Sequence, residues 1–103
     1  MNVRVMLIEP SSNPKAFNVV VLIGKNPYDF TVTVETDKIA EQEIQITNGD
    51  DFFCQTFQFN QIVGVEICKL VSKIYNHQVV ELPVDVGEFY SEELESASLQ
   101  KVS

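Results

Sequence analysis

The sequence predicts an α+β fold, an antiparallel β-meander of about five strands with one main α-helix packed on one face. Three features of the chain carry this reading. From Phe17 to Thr36 a Val- and Thr-rich stretch alternates with period two, as half-buried strands do. Asn48-Gly49 matches the two-residue type I′ hairpin turn, in which both positions need positive φ. From Asn60 to Asn76 the apolar period lengthens to that of a helix.

In chain order, Asn2 to Ile8 reads as a strand with Val3, Val5 and Leu7 on one face and Met6 and Ile8 on the other. The run Pro10-Ser11-Ser12-Asn13-Pro14 breaks it, because proline lacks a donor and Ser and Asn favour turns. A hairpin follows, with Gly24 to Asp29 as its loop. Val19, Val21 and Ile23 are expected opposite Val34, Val32 and Phe30. The other face of that strand is also apolar, through Val20 and Leu22, set against Thr33 and Thr31.

A second hairpin is expected about Asn48-Gly49. Thr47 would then face Asp50, Ile44 would face Phe53 and Ala40 would face Phe57, with Phe52 on the opposite side. The helix follows, with Val63, Ile67, Leu70, Val71 and Ile74 on one stripe, Asn60 as N-cap and Asn76 as stop. Ile62 and Val65 fall off that stripe, so a cover besides the main core is expected at that end. Val79 to Val86 alternates again, but Pro83 demotes it to an edge strand or an extended arm. Residues 1–90 are thus expected to form a single domain, and residues 91–103 an acidic tail or short helix.

The chain has 103 residues and a net charge of −8. Residues 1–76 hold nine acids and six bases, whereas residues 77–103 hold six acids and one base. Nucleic-acid and anionic-membrane binding need clustered Lys and Arg, which are scattered here, so neither is expected. The acidity suits solubility or a protein partner with a basic surface. Cys54 and Cys68 form no CxxC pair and are expected to be reduced thiols, one in a strand and one in a helix. The first residues lack the apolar run of a signal peptide and no stretch approaches the ~18 apolar residues of a membrane span, so a cytoplasmic location is expected.

No constellation of residues announces chemistry. His77 is the only histidine and reads as a turn residue at a helix end. Asp50 and Asp51 lack the alternating oxygen ligands of a calcium loop, and Glu92, Glu93 and Glu95 read as solvated charges. Phe52, Phe53, Phe57 and Phe59 lack the basic surround of a base-stacking surface, so core packing is the better account. The four glycines are isolated and the serines have no nucleophile-elbow context. Accordingly no catalytic residue, cofactor or metal site is assigned.

What remains is a face. Met6, Ile8, Val20, Leu22 and Phe52 are assigned to a second apolar side of the sheet that one helix cannot cover. The expected function is therefore a small acidic interaction module that self-associates, as a dimer, through that face. The alternative is a small-ligand-binding or catalytic domain with a pocket on the same face.

Overall fold

The computed structural model describes residues 1–90; the tail or helix expected at 91–103, with Glu92, Glu93 and Glu95, lies outside the described residues. Strands β1 (Asn2–Pro10), β2 (Ala16–Ile23), β3 (Asn26–Ile39), β4 (Gln42–Gly49) and β5 (Val84–Glu88) form one antiparallel sheet in the order β4-β3-β2-β1-β5. Helices α1 (Asp51–Thr56) and α2 (Gln61–Tyr75) follow β4 in the chain and pack on one face of it. The α+β class and the single main helix are as the sequence predicts. Of the two forms expected for Val79–Val86, an edge strand or an extended arm, the chain takes the edge strand, beside β1; that strand is Val84–Glu88, so residues 79–83 stay outside the ladder and Gly87 and Glu88 extend it.

The registers differ in instructive ways. β2 and β3 are joined by Gly24-Lys25 alone, with Gly24 at φ +64°. Val19 therefore meets Phe30 rather than Val34, and Val21 meets Tyr28. This slip is even-numbered, so every side chain keeps its face. In β1, by contrast, Val5 faces Val21 while Leu7 faces Val20, leaving Met6 as an extra residue in a bulge. The bulge reverses the alternation after it. Ile8 turns into the core at 8% exposure, and Leu7 takes the outer face at 42%.

Asn48-Gly49 makes no hairpin. β4 pairs instead with β3, Thr47 against Val34 and Ile44 against Asp37, around a turn at Ala40-Glu41. Both turn residues have positive φ, 52° and 67°, as a type I′ turn demands. The segment expected as a returning strand is α1. Asp50 caps it: one carboxylate oxygen accepts from the Phe53 N–H at 2.8 Å and the other from the Thr31 N–H at 3.0 Å. A Cβ on Gly49 would sit 2.1 Å from the Phe53 ring, so glycine is required there by close approach. Phe53 and Phe57 still share a face, because a spacing of four satisfies both strand and helix periods.

The core lies between the sheet and the helices. Val3, Val5, Val19, Val21, Val32 and Val34 supply the floor, and Val63, Ile67 and Val71 of α2 the lid. Each fully buried side chain of this size contributes about 1.5–3 kcal/mol. Phe30 is the centre of the aromatic cluster, with Phe53 and Phe57 both at 5.4 Å. Phe59 is exposed, outside that packing, and Ile62 and Val65 stay exposed at 82% and 51%, so the described residues do not supply the full cover expected at that end of α2.

Two asparagines tie α2 across the sheet. Asn60 makes no side-chain cap; its amide exchanges two bonds with the backbone of Tyr90, at 3.0 and 2.9 Å. Asn76 exchanges two amide bonds with Gln45 of β4, at 2.7 and 2.9 Å. His77 then ends the helix at φ +63°, where the His77 N–H donates to Ile74 and the Gln78 N–H to Lys73. This is a Schellman stop, and it places the only histidine at a helix end, as the sequence predicts.

β2 borders residues 26–33 of β3 while β4 borders residues 32–39. Beyond Val34 no other described strand borders the β3–β4 ribbon, and residues 35–46 are exposed. Asp50→Ala should lower unfolding stability by about 1–2 kcal/mol in urea melts, while Asp50→Asn should lose less. The double variant Ala40→Asn, Glu41→Gly should raise the melting temperature by a few degrees, about 1 kcal/mol, by relieving two left-handed positions. An unchanged melting temperature would show that the turn carries no such strain.

Candidate functional site

Among the described residues, none lies over the sheet face opposite the helices. Val20 and Leu22 are half-buried there, beside their neighbours in the sheet. The ladder places Leu7 beside Val20, with Asp29 on its other side, and Arg4 beside Leu22, with Pro27 on its other side. Met6, the bulged residue, is half-buried at the same place along β1. Farther along the ribbon, Ile44 and Ile46 face outward opposite Asp37 and Glu35.

Two of the five residues assigned to this face lie elsewhere. Ile8 belongs to the core, because the bulge at Met6 turns it inward. Phe52 sits on α1, on the helix side of the sheet, because residues 51–56 are helical rather than extended. It is 48% exposed and its ring packs on Phe30 at 5.1 Å and Tyr28 at 6.2 Å. Leu7 is the residue that sequence reading missed. Nothing in a run of alternating apolar residues marks where an extra one enters the ladder.

Depressions open on the helix side. A groove of about 540 Å³ runs between the end of β4, α1 and the exposed flank of α2. Phe53, Gly64, Val65 and Cys68 give it an apolar floor, with Lys69 and Ser72 at the rim. Lys69 pairs with Glu66 at 3.2 Å. Cys54 also lines this groove, so both cysteines are on helices and open onto one cavity. The Cys54 thiol donates to the Gly49 carbonyl at 3.6 Å. Burial, and then the neighbouring Cys54, push the Cys68 thiol above its ordinary range.

Charge at the site is acidic but dispersed. The Gly87 N–H donates to Asp85 and holds its carboxyl below the usual carboxylate range, with smaller help from Asn2 and Arg4. Glu81, Asp85 and Glu88 are all exposed around β5. Among the described residues no three His, Cys, Asp or Glu side chains stand together as a metal site, and no helix is long and apolar enough to cross a membrane.

The two thiols should differ in reactivity despite sharing a groove. In single-cysteine variants Cys68→Ser and Cys54→Ser, Cys54 should react with a disulfide reagent at pH 8 about tenfold faster than Cys68. Equal rates would contradict the burial of Cys68. Comparison of the chain with models of known protein families and with characterised proteins finds no match.

Proposed function

We propose that this protein is a non-enzymatic, cytoplasmic interaction module that self-associates as a dimer through its open sheet face. The observation that supports this reading is the apolar set Leu7, Val20 and Leu22 on a face that no described element covers. Apolar sheet surface left against water carries a free-energy penalty of roughly 25 cal/mol per Å². A second copy laid on the same face removes that penalty from both partners at once, and two-fold pairing is the commonest closed solution. Arg4 on β1 and Asp29 on β3 border the patch from either side of β2 and offer opposite charges to a two-fold mate.

The same reading includes a second protein with a basic surface. Residues 77–103 carry six acids against one base, and the described acids among them are exposed. Their role is to attract and orient such a partner, which raises the association rate more than the affinity.

Size-exclusion chromatography with light scattering tests the self-association. The native chain should run at twice its 11.6 kDa mass at micromolar concentration. The variant Val20→Thr, Leu22→Thr should run as a monomer with an unchanged circular dichroism spectrum, since both side chains point away from the core. A native chain that is strictly monomeric overturns the proposal.

A further inference from the structure

We infer that the free edge of β4, with the groove beside it, is a strand-addition site for an extended peptide in which basic residues follow an apolar run. The inference rests on the reading of the chain as an interaction module, though not on its self-association.

The sheet has two outer edges, and they are built differently. β5 has five residues, follows Pro83, carries exposed Asp85 and Glu88, and faces a register irregularity in β1. Short length, charge, proline and bulges are the devices that blunt an edge. β4 has eight residues, Gln42–Gly49, with no proline, no lysine and an unbroken register against β3. Among the described residues it is the edge left able to pair.

Its pairing phase decides which groups it offers. A two-residue turn at Ala40-Glu41 closes on a hydrogen-bonded pair, Ile39 with Gln42, so the bonded pairs recur at Ile44, Ile46 and Asn48. The Asp50 N–H donating to the Thr31 carbonyl at 2.8 Å continues the same phase. The N–H and C=O groups of Glu43, Gln45 and Thr47 therefore point outward, away from β3. A strand laid there gains a row of backbone bonds from these three residues.

Side chains of the added strand would alternate between two surroundings. Those on the helix side meet the groove, whose floor is Phe53, Gly64, Val65 and Cys68. Those on the other side lie beside the exposed Ile44 and Ile46. Apolar, β-branched residues suit both positions. Toward the tip of the ribbon the environment changes sign, because Glu35, Asp37, Glu41 and Glu43 surround the single Lys38. Lysines on the peptide belong at that end. An antiparallel strand, matching the rest of the sheet, runs from Gly49 toward Gln42, so its apolar half comes first and its basic half last. The same charge disfavours a second copy of β4 as occupant, since that pairing would bring the acidic ribbon tip beside Asp50 and Asp51.

The test uses the full chain and a fluorescein-labelled peptide, Val-Ile-Val-Thr-Val-Lys-Val-Lys, followed by anisotropy and by amide hydrogen exchange. Binding should saturate in the micromolar range and slow exchange at Glu43, Gln45 and Thr47. Thr47→Pro removes one outward donor, and Val65→Lys places a charge in the groove on an exposed helix position. Each should weaken binding about tenfold, and the second does so without touching the sheet. A peptide with glutamates in place of its lysines should bind about tenfold more weakly. The monomerising change Val20→Thr, Leu22→Thr should leave peptide affinity intact, which separates this site from the dimer face. The inference is overturned if the peptide fails to saturate, if Val65→Lys binds as the native chain does, or if the glutamate peptide binds equally well.

Discussion

One helical layer has to shield one face of five strands, and the rest of the molecule is arranged around that shortage. α2 supplies most of the shield, and its position is set at both ends by amide pairs. Asn60 holds the backbone of Tyr90 just past β5, and Asn76 holds Gln45 of β4. Those residues lie at opposite edges of the sheet, so the helix spans it rather than following one strand. Hydrogen bonds of this kind are each worth about 1 kcal/mol net, but their directionality fixes where the apolar stripe lands. α1 fills what α2 leaves, bringing Phe53 and Phe57 onto Phe30. Nothing in the described chain remains for the opposite face.

Side-chain parity explains which expectations the structure keeps and which it reverses. The β2–β3 register moves by four residues, yet Val19, Val21, Val32 and Val34 all stay in the core because strand faces repeat every two residues. Phe53 and Phe57 stay there even though strand becomes helix. One inserted residue at Met6 does what those larger shifts do not, exchanging Leu7 and Ile8 between core and open face. A local sequence window sees alternation on both sides of a bulge and cannot see the ladder partner that defines it.

The competition around residues 48–51 has a similar lesson. Asn48-Gly49 has high intrinsic preference for a type I′ turn, but Asp50 offers two acceptors to two donors, Phe53 N–H and Thr31 N–H. Aromatic residues after it can reach the core from a helix as well as from a strand. Gly49 is then used for close contact with the Phe53 ring instead of for positive φ. The turn moves to Ala40-Glu41, two residues with weak preference for it, held there by the ladder on either side. That displacement creates both the exposed ribbon and the unblunted edge of β4.

By itself the sequence determined the α+β class, the position of the helix and nearly all of the core, because each depends on a period within a continuous segment. It also determined that Val20 and Leu22 face away from Val19 and Val21. Only the tertiary structure decided the bulge, the true hairpin turn and the groove joining β4 to α2, along with the contrast between the two sheet edges. These depend on which strand lies beside which, and the free energy of pairing is settled by partners far apart in the chain.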